Sequence, residues 1–229
     1  MNSTSPYSSS AQGASVSRDK MLRNTYGLLA LSLIPSVLGA YIGLHSGFVS
    51  LMLHHQMATF LGFLLVGFGL MAAISYFRNS ATGVLLLLLF TGIMGAYSSL
   101  TLSFVLHSPD GASLVALAFG ATALIFAVMA TTATFIKGTL QGFGKFLFVG
   151  LILLLVAMFA NVFFQLPALY VTLLVLSVAL FSGYLLFDLN RIMKRGETNY
   201  VMATLSLYLD LFNIFMSILD LLGIFDSRL

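Results

Sequence analysis

Residues 185–215 read LLFDLNRIMKRGETNYVMATLSLYLDLFNIF, two long apolar runs joined by a short basic link. Each run carries one acidic residue well inside it, Asp188 in the first and Asp210 in the second. Apolar runs of this length are typical of helices that cross a membrane. Because an acid within such a helix is costly, it is a candidate functional residue. This stretch therefore predicts a membrane fold and a site within it.

The composition of the whole chain also indicates a membrane protein. Of its 229 residues, 59% are hydrophobic and 7% are charged, whereas soluble domains carry roughly 25% charged residues. The absence of cysteine excludes disulfides and thiolate metal sites. The basic residues are few and scattered, and no phosphate-binding loop is present. We therefore expect the lipid bilayer as a partner, with no nucleic acid and no bound cofactor.

The apolar runs predict an all-α fold of seven transmembrane helices, because an open sheet would leave backbone groups unsatisfied in lipid. The predicted spans are 25–45, 57–78, 81–106, 112–136, 143–164, 168–192 and 200–224. Residues 1–22 are polar and Ser-rich and predict a disordered tail rather than a signal peptide. The expected organisation is therefore this tail followed by a single membrane domain at 23–229.

The positions of Lys and Arg indicate the orientation of the bundle. Of the ten basic residues, all except Arg228 lie before span one or in or beside the second, fourth and sixth links. The positive-inside rule then places the N-terminus in the cytoplasm. The C-terminus lies outside if span seven crosses fully, and inside if that span turns back.

The histidines all fall in or beside the other three links. They are His45, His54, His55 and His107. A metal or pH-sensing cluster is one interpretation. Solvated or interfacial histidines are the simpler one, because neither a His-x-x-His spacing nor a paired acid accompanies them.

A GxxxG spacing occurs in span one at Gly39 and Gly43. Small residues at this spacing allow two helices to approach closely. We expect them to pack against another helix of the same bundle, and a dimer face is the alternative.

Span seven carries a polar stripe whose residues repeat at steps of four and three, so that they share one helix face. They are Ser206, Asp210, Asn213, Ser217 and Asp220. A polar face within a membrane must turn towards other helices or a wet cavity. Span seven is therefore predicted to be central or to line a pathway. For Asp220, near its far end, an interfacial acid is the alternative.

Asp188 and Asp210 are the candidate site if their helices bring them together. Two carboxylates within a few ångströms can share a proton, and when deprotonated they offer the oxygen ligands that Ca²⁺ prefers. Arg78, the only basic residue of the second link, is the candidate latch, a cation that the pair releases on protonation; a positive-inside anchor is the alternative. For Asp188 the alternative is an interfacial acid paired with Arg191 or Lys194.

Two aspartates on consecutive helices also describe intramembrane aspartyl proteases. The chain lacks the Gly-x-Gly-Asp context of the presenilin-like enzymes. A rhomboid-like Ser–His site is not indicated either, because the histidines all fall at one face. We therefore expect that the protein is not an enzyme.

The run FDLNRIMKRG at 187–196, followed by VMATLSLYLDLFNIFMSILDLLG at 201–223, resembles the C-terminal signature of the Bax-inhibitor (TMBIM) family. NVFFQLPALY at 161–170 and KMLRNTYGLLALSL at 20–33 are similar to its bacterial YccA/YetJ-like branch. The resemblance covers nearly the whole chain from about Lys20 and is most specific over residues 184–224.

The resemblance implies six helices around a central seventh, in a bacterial inner-membrane protein. It also implies a pH-sensitive calcium leak gated by an aspartate pair on helices six and seven, to which Asp188 and Asp210 correspond. Ca²⁺ is then the transported ion and protons regulate it. The family's latch arginine lies at the end of helix two, where Arg78 is the nearest match, although the family often has a basic cluster there.

The YccA-like branch is further associated with FtsH, a membrane-anchored ATP-dependent protease. A non-transporting modulator or substrate of such an AAA protease is therefore the alternative function. A polar N-terminal tail such as residues 1–22 would suit a protease that pulls from an end.

Overall fold

The computed structural model of the chain describes residues 6–195 and 199–226, and every element within those ranges is a helix. The helices are α1 Pro6–His45, α2 Phe48–His54, α3 Gln56–Tyr76, α4 Ala81–Leu106, α5 Gly111–Phe135, α6 Gln141–Phe164, α7 Pro167–Arg195 and α8 Tyr200–Asp226. All except α2 are long and apolar enough to cross a membrane. The predicted seven-helix fold is confirmed, with spans six and seven corresponding to α7 and α8.

The short helix α2 is an element that the sequence patterns do not predict. It comprises seven residues, or about 10 Å of helix, which is too short to span a bilayer. Gly47 precedes it with φ 77°, a left-handed conformation that glycine adopts without steric cost. This glycine lets the chain turn after α1 and start a new helix, whose Met52 is buried.

The first helix extends into the segment that the sequence patterns predict as a tail. The first helix begins at Pro6, so the helical segment extends well before the apolar run of span one. Met21 is buried and Leu22 packs against the same core, which explains why the helix does not end at the predicted boundary. Residues 1–5 of the tail, residues 196–198 of the last link and Arg228 lie outside the described residues.

The central position of α8 is confirmed by its neighbours. It packs against five of the other long helices, α1, α3, α4, α5 and α7. Within the described residues, α6 packs only against α7 and so lies in a second layer behind it. The predicted arrangement of six helices around one is thus refined to five in direct contact and a sixth outside.

The helices α1 and α4 approach each other closely at small residues. A Cβ atom added at Gly39 would lie 1.9 Å from the carbonyl oxygen of Gly92, and one at Gly95 would lie 1.9 Å from that of Ser36. Only glycine fits at such positions. Gly43 also packs on α4, so the GxxxG spacing serves packing within one bundle, as predicted.

The side chain of Tyr208 fixes α8 between α1 and α4. Its hydroxyl is 2.7 Å from the Ser36 hydroxyl and donates to the Thr91 carbonyl at 3.3 Å. Tyr208 is only 2% exposed. Because a buried hydroxyl without a partner is costly, these contacts favour one rotational setting of α8.

The bundle has two ends, which we name by their residues. The basic side carries the α3–α4, α5–α6 and α7–α8 links, and the histidine side carries the α4–α5 and α6–α7 links and the segment between α1 and α3. Helix α8 begins at Tyr200 on the basic side, and the carboxylate of Asp226 at its other end accepts a hydrogen bond from Ser108 in the α4–α5 link. Helix α8 therefore crosses the whole bundle and ends on the histidine side.

Candidate functional site

The structure brings Asp188 of α7 and Asp210 of α8 together inside the bundle. The two helices pack against each other. Asp188 is 6% exposed and Asp210 is 5% exposed. The Asp210 carboxylate lies within electrostatic reach of Asp188 and of Arg191, and direct contact between the two acids stays a prediction.

The depth of Asp188 in α7 reduces the offset between the two acids that the sequence pattern predicts. The sequence pattern places Asp188 about one turn from the end of span six, whereas α7 continues to Arg195. Asp188 is therefore seven residues, or about 10 Å, from the end of its helix, and Asp210 is ten residues, or about 15 Å, from the start of α8. The depths of the two acids, measured from the helix ends on the basic side, therefore still differ by about 5 Å, which is one helical turn.

Arg191 supplies the positive charge next to the acid pair. Its guanidinium Nη2 lies 3.5 Å from Oδ1 of Asp188, one turn away on the same helix. One oxygen of Asp210, Oδ2, is buried and has no hydrogen-bond partner among the described residues. Two neighbouring carboxylates cannot both ionise freely, so this oxygen is a position where a proton or a cation would be stabilised.

Arg78, the predicted latch, lies at the surface of the bundle. It lies in the turn after α3 with an exposed side chain, and it is not among the charges that act on Asp210. Its backbone carbonyl instead accepts a hydrogen bond of 2.9 Å from Asn199. The cation that the structure brings to the pair is Arg191, which shares α7 with Asp188; a latch role for Arg78 stays a prediction.

The polar stripe of α8 faces the interior, as predicted. Within it Asp210 and Ser217 are buried, and Ser206, Asn213 and Asp220 are half-buried. Asn213 donates to the Leu209 carbonyl of its own helix at 2.7 Å.

Two residues of the stripe bind side chains of α7 directly. The Ser217 hydroxyl donates to the Ser177 hydroxyl at 2.9 Å. The carboxylate of Asp220 accepts a hydrogen bond of 3.2 Å from the Tyr170 hydroxyl. Asp220 is half-buried and lies near the end of α8 on the histidine side.

A cavity of about 780 Å³ opens on the histidine side, between the ends of α4, α5, α7 and α8. Its polar lining residues are Thr101, His107, Ser108, Tyr170, Asp220 and Asp226. Carboxylate and hydroxyl oxygens thus face a space large enough for a hydrated ion.

The histidines do not form a site. His45, His54, His55 and His107 are exposed, and within 6–195 and 199–226 no three His, Asp or Glu side chains are grouped so as to hold a metal ion. The interpretation as solvated or interfacial residues therefore describes their placement. The acid pair offers oxygen ligands of the kind that Ca²⁺ prefers, but a complete coordination shell would need water as well.

Comparison with known proteins identifies the family of this chain. The profile described as "Inhibitor of apoptosis-promoting Bax1" matches residues 18–227. The chain belongs to the Bax-inhibitor family. This confirms the resemblance that the sequence motifs indicate.

Curated relatives cover nearly the same length as this Bax-inhibitor family member. "Modulator of FtsH protease YccA" from Escherichia coli (strain K12) is 36% identical over 213 residues, which is 93% of each chain. An "Uncharacterized membrane protein" from Vibrio cholerae is 33% identical over 210 residues, 92% of each chain. A protein of Neisseria meningitidis serogroup A is 35% identical over 214 residues, 90% of this chain and 92% of the relative.

The names of these Bax-inhibitor relatives agree with a membrane location. A second Escherichia coli relative, 36% identical, is named "Inner membrane protein YccA". Together with the seven helices that could cross a membrane, the names support an integral membrane protein. None of the relatives described above is named as an enzyme.

Two α7 residues of the site, Tyr170 and Ser177, are not among the predicted ones. A signal for them exists, because Tyr170, Ser177 and Tyr184 are spaced by seven residues and so share a face of α7. Serine and tyrosine are common enough in membrane helices that the spacing alone does not distinguish them. Their significance appears only when α8 places its polar stripe against that face.

Proposed function

We propose that this protein modulates a membrane-anchored ATP-dependent protease of the FtsH kind. The observation that carries the proposal is the 36% identity over 93% of both chains to a relative named as a modulator of that protease. A match of this length involves most of the membrane domain and not one segment of it.

The N-terminal segment is the part that this proposal assigns to the protease. The candidate span within α1 begins at Asp19, so residues 6–18 precede it. A protease that acts on membrane proteins needs a polar segment outside the bilayer, and the segment before Asp19 is polar.

The test is co-purification of the full chain with FtsH from membranes, together with degradation of a third membrane substrate. Deleting residues 1–18 is expected to abolish the effect on degradation and to leave the folded bundle intact. The matched control is a chain in which residues 1–18 are replaced by a polar sequence of equal length and different order. If the deletion variant binds and modulates the protease as the full chain does, the role of this segment is wrong.

We propose proton-regulated passage of a hard cation, with Ca²⁺ as the ion, as a second function. The supporting observation is the acid pair: both carboxylates are buried, the Arg191 guanidinium lies 3.5 Å from Asp188, and one Asp210 oxygen has no hydrogen-bond partner within the described residues. Maintaining charges at this depth costs several kcal/mol. A function that uses the protonation of the pair accounts for their presence.

The chemistry follows from the charge balance at Asp188, Asp210 and Arg191. With one shared proton the pair carries one negative charge, which the guanidinium balances. Loss of that proton leaves an excess negative charge, which favours uptake of a cation. A divalent cation with oxygen ligands is the species that two adjacent carboxylates suit best.

Ca²⁺ flux into dye-loaded liposomes, measured between about pH 6 and 8, tests this second function. Asp188→Asn and Asp210→Asn are expected to change the flux and to flatten its pH profile, because neither single acid can share a proton. Asp110→Asn removes an exposed acid outside the pair and is the matched control. Flux that is unchanged in both pair variants would exclude the carboxylate gate.

A further inference from the structure

A row of polar side chains on α7 faces the polar stripe of α8. Tyr170, Ser177 and Tyr184 are spaced by seven residues, and Asp188 follows one turn later. At this spacing they lie along one face of the helix. The opposite partners on α8 are Asp220, Ser217 and Asp210, met in reverse chain order because the two helices run antiparallel.

Hydrogen bonds join the two rows at two levels of the bundle, and electrostatic proximity relates them at a third. At the histidine side Tyr170 donates to Asp220 at 3.2 Å. In the middle Ser217 donates to Ser177 at 2.9 Å. Towards the basic side Tyr184 lies within electrostatic reach of both Asp188 and Asp210. We name these seven residues the polar seam.

The ends of the polar seam differ from its middle. At the histidine side the 780 Å³ cavity reaches Tyr170 and Asp220. At the other end lies the buried Asp210 oxygen without a hydrogen-bond partner among the described residues. Between them Ser177 and Ser217 are 2% and 5% exposed, so their hydrogen bond closes the seam at that level.

The remaining surface of α8 offers no comparable route. Leu207, Ile214 and Leu219 are fully buried against other helices. An ion that passed these three side chains would meet apolar atoms, at the full cost of its desolvation. Along the seam it would meet hydroxyl and carboxylate oxygens.

We propose that the polar seam is the route of the cation and that the Ser177–Ser217 contact is its constriction. This inference rests on the ion passage proposed above. Asp220, with the hydroxyls of Tyr170 and Thr101, is the first group of oxygens that an ion meets from the cavity. Hard cations prefer such oxygen ligands, and a series of weak positions allows an ion both to enter and to leave.

The natural chain contains no cysteine, which allows a direct test of the constriction. In the variant Ser177→Cys/Ser217→Cys the two thiols replace hydroxyls that already contact each other, so mild oxidation is expected to join them. We expect the disulfide to lower Ca²⁺ flux by at least about tenfold and reduction to restore it. In each single cysteine variant, the same oxidation and reduction are expected to leave that variant's own flux, whatever its level before treatment, unchanged.

A second variant keeps the test informative if the disulfide does not form. Ser177→Val fills the constriction with an apolar side chain and is expected to lower the flux by a similar factor. Ser182→Val is the matched control, because Ser182 is also a buried serine of α7 but its hydroxyl bonds to the Val178 carbonyl of its own helix. That control is expected to stay within about twofold of the wild type.

The outcomes separate this inference from the proposed function. If the oxidised double cysteine variant keeps the flux of the wild type, with its disulfide verified by mass spectrometry, the proposed route is wrong and the proposed ion passage still stands. Equal losses in Ser177→Val and Ser182→Val also overturn it. If the wild type carries no flux in the same liposomes, the ion passage and the route fail together.

Discussion

Replacing Gly39 with alanine tests whether the α1–α4 contact belongs to the fold of one chain. The new Cβ would lie 1.9 Å from the Gly92 carbonyl oxygen, whereas ordinary contacts begin near 3.4 Å. The two backbones must therefore separate locally by about 1.5 Å. Overpacking of this kind costs about 1–3 kcal/mol.

Gly27→Ala is the matched control on the same helix. A Cβ added at Gly27 has nothing within 4 Å, and both substitutions gain the same helix propensity of about 1 kcal/mol. The difference between the two variants therefore isolates the overpacking cost. At about 2–4 °C per kcal/mol for a chain of this length, Gly39→Ala should melt about 2–12 °C below Gly27→Ala.

The assay is thermal unfolding of the purified full chain in detergent, followed by tyrosine fluorescence, with light scattering to report mass. Two results would refute the reasoning. Equal melting temperatures would show that α1 and α4 do not meet as described. A change from dimer to monomer in Gly39→Ala would show that this surface joins two chains.

Four further substitutions test other contacts. Arg191→Gln should raise the resting Ca²⁺ leak because it removes the cation beside the acid pair. Arg78→Gln should leave the leak near that of the wild type. A larger leak in Arg78→Gln than in Arg191→Gln, measured as flux into liposomes, would support Arg78 as the latch. Tyr208→Phe removes the hydroxyl that contacts Ser36 and should lower the free energy of unfolding by about 1 kcal/mol. The melting temperature should then fall by about 2–4 °C, and an unchanged melting temperature would contradict the role of that contact. Asn199→Ala removes the acceptor of the Met202 amide at the start of α8 and should lower the free energy of unfolding by about 0.5–2 kcal/mol. Amide hydrogen exchange should accelerate in the first turn of α8 and not in its last turn. Equal acceleration in both turns would argue against this local effect.

The spans could be predicted because lipid imposes a simple pattern on the sequence. Every membrane helix needs about 20 apolar residues, and those runs are easy to recognise. The steps of four and three along α8 likewise predict its inward polar face. The helix α2 was missed because seven residues between two spans resemble any link, and the start of α1 was misplaced because helix continuity does not require apolar residues.

The acid pair could be predicted as a pair of candidates, but its surroundings could not. Arg191 lies one turn from Asp188 in the sequence, yet a basic residue at the end of a membrane helix is usually an interfacial anchor. Its contact with the pair depends on how far α7 extends into the basic side. The roles of Tyr170 and Ser177 depend on the register between α7 and α8, which is set by packing of the whole bundle and not by either helix alone.

The measurement that most directly tests the central claim is infrared spectroscopy of protonated carboxyl groups as a function of pH. The account predicts a protonated-carboxyl signal that is lost in both Asp188→Asn and Asp210→Asn, because one proton is shared between the two residues. The same signal should be retained in Asp220→Asn, which alters a separate carboxylate of the same helix. A signal that survives both substitutions in the pair, or that disappears only with Asp220, would contradict the account.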